Sequence, residues 1–178
     1  MTIKELENKD KSFTEASFIS KVDNTFIMVL TAIMTDNIGR VSHKISPEVK
    51  SKIREKIDNL NNKNLRQMYD ELNVKSAQII SIEEDDTKYI INVLLTSRYM
   101  DYQIDKKTGD YVSGINDHRL EKENYLTFEK YKNSKVLAAA KKCPGCGANI
   151  DYNNSGECPY CGRIFNAQDY DWILTEMR

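Results

Sequence analysis

The residue types best suited to chemistry are four cysteines, the only ones among 178 residues, and all lie between positions 143 and 161. They stand as Cys143-Pro144-Gly145-Cys146-Gly147 and Cys158-Pro159-Tyr160-Cys161-Gly162. Two residues between paired cysteines let both sulfurs of a tight turn face one ion. The glycine after the second cysteine tolerates the positive φ that closes such a turn. Two knuckles supply four thiolates, the tetrahedral set that zinc takes at about 2.3 Å. The spacing therefore predicts one structural zinc on Cys143, Cys146, Cys158 and Cys161; iron fits the same four thiolates. Two disulfides would require an oxidising compartment, and a redox dithiol accounts for one pair, not two. A site closed by four sulfurs has no open position for water, so it holds structure rather than acting as a Lewis acid.

The elements that must position this module follow from composition and period. Four of the seven glycines and two of the three prolines fall in or beside the cysteine stretch, and the rest of the chain is rich in Lys, Asn, Glu and Ile. Phe18, Val22, Phe26, Val29 and Ile33 recur at helical spacing, predicting a long helix from Thr14 to Met34. Thr35-Asp36-Asn37 stops it and opens a shorter helix through Ile38, Val41 and Ile45. Ser46-Pro47-Glu48 is a helix start, and Val49, Ile53, Ile57 and Leu60 follow on one face. A short helix is expected at Leu65, Met68, Tyr69 and Leu72. Strands are expected at 73–84, from Tyr89 onward with a bulge near Ser97–Tyr99, after the turn Lys106–Asp110, and at Tyr125–Tyr131. Asn116–Arg119 reads as a polar loop. Tyr170 to Leu174, with the single tryptophan, Trp172, is a terminal strand whose natural partner is 125–131. The result is an α+β roll, with N-terminal helices packed on a bent antiparallel sheet. The expected organisation is a flexible segment at 1–13, the roll at 14–131 plus 170–178, and an inserted ribbon with its stalk at 132–169.

Charge gives the second functional signal. The total is balanced, 26 Lys and Arg against 27 Asp and Glu, which disfavours a generally nucleic-acid-coating protein. The distribution is uneven. Residues 40–66 carry eight basic and three acidic side chains, and 67–129 carry seven basic and thirteen acidic. Lys44, Lys50, Lys52, Arg54 and Lys56 thus form a candidate docking face for an acidic protein partner or an anionic membrane surface. The longest apolar run, Phe26–Met34, is shorter than the roughly 20 residues a bilayer needs, and the first residues lack signal-peptide order. The expected location is cytoplasmic, at most peripheral to a membrane.

The chain resembles the Tim44-like domain family, whose members include the mitochondrial inner-membrane import scaffold. The resemblance is carried by the helix-then-strand order, by Tyr102-Gln103-Ile104-Asp105-Lys106-Lys107-Thr108-Gly109-Asp110-Tyr111-Val112-Ser113-Gly114, and by Leu126-Thr127-Phe128-Glu129-Lys130. The last segment is similar to a Trp-Thr-Phe-x-Arg motif of relatives, with Tyr125 or Leu126 and Lys130 at its bulky and basic positions. Some bacterial members are similar in carrying a ribbon like Cys143–Cys161. The resemblance implies a cystatin-like or nuclear-transport-factor-two-like roll and a non-catalytic, transport-related binding or scaffolding role. Rolls of this type also include isomerases and dehydratases, so a pocket enzyme is one alternative. Its candidate groups are His43, His118, Asp101 and Asp105, with both histidines expected at the solvated surface. Phosphate-binding glycine loops and nucleophile elbows do not occur in the sequence. The other alternative, a nucleic-acid-binding zinc ribbon, would have only Lys141, Lys142 and Arg163 as cations, with Tyr152, Tyr160 and Phe165 to stack bases.

Overall fold

A computed structural model describes residues 1–132, Ala148, Asn149, Tyr160 and 171–178. Three helices precede an open antiparallel sheet: α1 (Ile3–Lys9), α2 (Glu15–Thr35), α3 (Pro47–Asn62), β1 (Leu65–Glu84), β2 (Lys88–Asp105), β3 (Tyr111–Tyr131) and β4 (Ile173–Met177), in the spatial order β1-β2-β3-β4. This is the expected α+β class. The expected ribbon and stalk at 132–169, with Cys143, Cys146, Cys158 and Cys161, lie outside the described residues but for Lys132 and the three isolated positions.

The segment 1–13, expected to be flexible, contains helix α1. Thr2 and Glu5 form a capping box, each side chain bonding the other residue's backbone N–H, which satisfies two donors that a helix start leaves free. Leu6 and Phe13 are buried, so this short helix is held by the core. The long second helix starts at its Thr14 cap and stops where Asp36 turns left-handed at φ 51°. Its stripe Phe18, Val22, Phe26 and Val29 is buried. By length and composition α2 is apolar enough to cross a membrane; in this fold that apolar stripe is the sheet's covering. The expected second short helix shrinks to a single 3-10 turn, Ile38–Arg40.

The stretch through Leu65, Met68, Tyr69 and Leu72 is strand, not helix. Asn64 at φ 56° breaks α3, and its carbonyl accepts from the Lys106 N–H at 2.8 Å, aligning the new strand with β2. β1 then slips register three times, between Asp70 and Asn73, Val74 and Ser76, and Ile79 and Ser81. Each slip changes which parity faces the helices. Gln67 and Tyr69, then Val74, then Ala77 and Ile79, then Ile82 are paired with the odd-numbered residues of β2. β2 keeps one parity throughout, with every second residue buried from Tyr89 to Tyr99. The bulge expected in β2 near Ser97–Tyr99 is therefore carried by its neighbours. Glu71, at φ 53°, bulges in β1, and in β3 the register jumps from Leu120 to Ile115 opposite Tyr99 and Asp101. The Asn116–Arg119 segment expected as a loop lies inside this jump, within the span of β3. Here Gly114 holds φ 100°, and a Cβ in its place would sit 2.4 Å from the Asp101 carbonyl oxygen, so only glycine fits.

β4 pairs with Leu126–Glu129 of β3, as the terminal-strand reading expects. Trp172 packs edge-on against Phe18 and Phe13, at centroid distances of 5.1 and 5.9 Å, and Phe18 meets Phe128 at 5.6 Å. On its other side β4 is met by the chain just before α3: the Leu174 N–H donates to the Lys44 carbonyl and the Ser46 N–H to the Leu174 carbonyl, both at 2.9 Å. That link fixes where α3 begins.

Candidate docking site

Helix α3 is built from its N-terminus. The Ser46 hydroxyl accepts from the Val49 N–H at 3.3 Å, and Pro47 occupies the first turn, where a missing N–H costs nothing. Val49, Ile53, Ile57 and Leu60 are buried on one side. Lys50, Lys52, Arg54 and Lys56 are all exposed. They do not share one face. At 100° per residue, Lys50 and Arg54 stand on one shoulder of the buried stripe, and Lys52 and Lys56 stand on the other, about 200° away from the first pair. Lys44 departs from the set altogether. It precedes the helix, its backbone is tied to β4, and it is half-buried. Burial pushes its ammonium below the usual lysine range, against the pull of Asp171.

The shoulder carrying Lys52 and Lys56 borders a groove of about 370 Å³ between α3 and the adjoining ends of β1 and β2. Lys63, just past the helix end, adds a third ammonium group; Leu60 and Leu65 line the same space. Lys63 belongs to the basic run visible in the sequence, but its place beside Lys52 and Lys56 depends on where the helix stops. Gln103 reaches the groove from β2, and nothing in the local sequence marks it. The Lys56 ammonium also lies 5.7 Å from the centre of the Tyr69 ring, a distance at which the ring face attracts a cation.

Ion pairing separates this helix from the rest. Among the described residues, none of Lys50, Lys52, Arg54, Lys56 and Lys63 has a carboxylate within ion-pair distance. On β1–β3, six of the seven Lys and Arg residues do: Lys75 and Arg98 with Glu121, Lys88 with Glu129, Arg119 with Glu71, Lys122 with Asp101, and Lys130 with Asp10.

The other sequence candidates are placed as follows. Asp101 accepts from the Gln67 amide at 2.7 Å and pairs with Lys122. Asp105 accepts from the Lys107 and Thr108 N–H groups at 2.8 and 2.9 Å; these bonds hold its carboxyl below the usual range and close the hairpin turn. His118 is exposed beside Asp117. His43, expected at the solvated surface, is half-buried, because the segment that follows it is drawn against β4. Burial, together with the Lys44 charge, pushes its imidazole pKa down. The structure brings none of these four groups together. Among the described residues no cluster of three His, Cys, Asp or Glu side chains is arranged to hold a metal, so the metal expectation rests on the four cysteines alone.

The Tim44-like domain family matches residues 1–139. The chain belongs to this family. The match takes in α1 and so places the first thirteen residues inside the Tim44-like domain. Tim44-like domains are transport-related scaffold and binding modules that engage proteins and membranes. No curated protein matches the chain. Among solved structures, the intermembrane space region of the chloroplast protein ARC6 is similar over 100% of this chain and 95% of its own length, at 11% identity and a TM-score of 0.36. The Leu126-Thr127-Phe128-Glu129-Lys130 segment of this Tim44-like domain puts Leu126, Phe128 and Lys130 on the buried side of β3. Lys130, at the family's basic position, bonds Asp10 at 2.6 Å and the Ser12 hydroxyl at 2.7 Å, locking the N-terminal segment to the sheet.

Proposed function

We propose that this Tim44-like domain is a non-catalytic, zinc-stabilised scaffold that docks through α3 on an anionic face of a protein partner or a membrane. One observation carries the reading: among the described residues the exposed cations of α3 have no acidic partners, in a molecule that pairs nearly all the cations of its sheet. Exposed unpaired lysines keep their full attraction for an incoming anion, each contributing roughly 1 kcal/mol near an anionic surface. Cys143, Cys146, Cys158 and Cys161 hold one zinc in this proposal, and the thiolate set supports a structural role rather than chemistry. Docking is tested by vesicle flotation and by binding to an immobilised acidic polypeptide at two salt concentrations. Reversing Lys52 and Lys56 to Glu is expected to abolish retention on the anionic probe, and retention that persists unchanged overturns the reading. The metal is tested separately by elemental analysis of protein purified without chelator. About one zinc per chain is expected, and less than about 0.5 of zinc and iron together counts against four-thiolate ligation.

A further inference from the structure

We infer that the groove beside α3 receives an extended acidic peptide segment of a partner protein, whose carboxylates meet Lys52, Lys56 and Lys63. This rests on the docking role of α3 and narrows it to one shoulder of the helix and one class of ligand. The three lysines line one groove, and at 1.5 Å per residue they span a row of about 16 Å along the helix axis. An extended chain covers that length in about five steps of roughly 3.3 Å. The two intervals, about 6 and about 10 Å, equal about two and about three such steps. Side chains of an extended chain alternate between two faces, so acids at the first, third and fifth positions share one face over about 13 Å, and the flexible lysine stems span the remaining few ångströms of the row.

The remaining lining favours a peptide over other anions. Asn59 on the helix and Gln103 on β2 bring primary amides from both walls, and each amide offers the donors and acceptor that a peptide backbone requires. Leu60 and Leu65 give the floor an apolar stretch for one side chain. Glu55 stands in the same row. It repels a continuous phosphate backbone or a uniformly anionic lipid surface, whereas a peptide can place a neutral residue opposite it. A single headgroup phosphate concentrates its charge at one point and meets only part of a 16 Å row. Lys56, held over the Tyr69 ring, has less side-chain freedom to lose on binding than a fully solvated lysine.

The inference is tested with the full chain by following backbone amide resonances as the peptide Glu-Leu-Glu-Ala-Glu is added. Its Gln-for-Glu counterpart and vesicles of phosphatidylglycerol in phosphatidylcholine are run beside it. The acidic peptide is expected to shift the amides of residues 52–63 and Gln103, and its Gln counterpart to bind at least about tenfold more weakly. Replacing Lys52, Lys56 and Lys63 together by Gln is expected to weaken acidic-peptide binding by about tenfold or more, and Lys50→Gln with Arg54→Gln by less than about twofold. All five side chains are exposed, and an unchanged circular-dichroism spectrum shows that the variants fold. Vesicle binding without peptide binding, or equal losses from both shoulders, overturns the groove while leaving α3 as a docking element. Failure to bind either probe overturns both.

Discussion

On the sheet, Lys75 and Arg98 converge on Glu121 from neighbouring strands at 3.0 and 2.9 Å, and Lys88 meets Glu129 at 2.6 Å. On α3, Glu48 and Asp58 stand four residues from Lys52 and Arg54, the spacing at which helical ion pairs form, yet neither pair closes. Glu48 instead turns back on its own helix start, where the backbone N–H and Ser46 hold its carboxyl below the usual range. The two regions therefore use similar residues differently. Cross-strand neighbours are brought opposite one another by the ladder itself, so charge of both signs on adjacent strands neutralises locally. On α3 even Glu55, which stands among the cations, closes no ion pair with them among the described residues. The sheet's charges pair with one another, whereas those of α3 have no partner among the described residues.

The comparison is tested most severely at Lys130, whose side chain is only 8% exposed and whose partner Asp10 is 13% exposed. Lys130→Ala leaves the carboxylate buried without its cation and is expected to cost about 3 kcal/mol in urea unfolding. Burial raises the Asp10 carboxyl, but the bonds from Lys130 and Ser12 outweigh it and hold the pKa below the usual range. A depressed acid contributes stability above its unfolded value, near 3.9, and that contribution is lost as pH falls through the folded value. The gap between wild type and Asp10→Asn is accordingly expected to be present at pH 7 and to narrow below about pH 4, read from urea midpoints. Gly114→Ala, which forces a side chain against the Asp101 carbonyl at positive φ, is expected to cost about 2 kcal/mol in the same assay. Lys75→Ala removes an exposed pair and is expected to cost about 0.5 kcal/mol or less. At the bottom of the series, Lys52→Gln with Lys56→Gln is expected to move stability by no more than about 0.5 kcal/mol in either direction. A thermal-unfolding loss comparable to that of Lys130→Ala would place α3 with the sheet and erase the distinction.

Much of the fold is legible in the sequence. The long second helix and α3 are legible because caps at Thr14 and at Ser46-Pro47 coincide with unbroken apolar stripes, and the two kinds of signal agree. β1 is legible only in part. Leu65, Met68, Tyr69 and Leu72 also satisfy helical spacing, and three register slips scramble the alternation that would have marked a strand. Whether a residue sits on the inner face there is decided by pairing with β2, which is not local information. At the N-terminus the signal is local: Thr2-Ile3-Lys4-Glu5 is a capping-box pattern, and Leu6 and Phe13 are the residues it delivers to the core. For the candidate site, the basic run shows in composition, but its division into two shoulders follows from helix geometry. Its lack of acidic partners among the described residues is a property of the assembled surface. Gln103 joins Lys52 only because β2 ends beside α3. The cysteine spacing is the reverse case, fully legible in sequence and lying outside the described residues.

Glu129 and Ile173 are direct partners across β3 and β4, although more than forty positions separate them along the chain. Lys130 and Trp172 flank that interval inside the core, and beyond them the two ends of the chain leave from neighbouring strands, where closing a longer segment costs little more than closing a short one. Such a position is an exchangeable cassette. A segment of different length is expected to fit there without rethreading a strand.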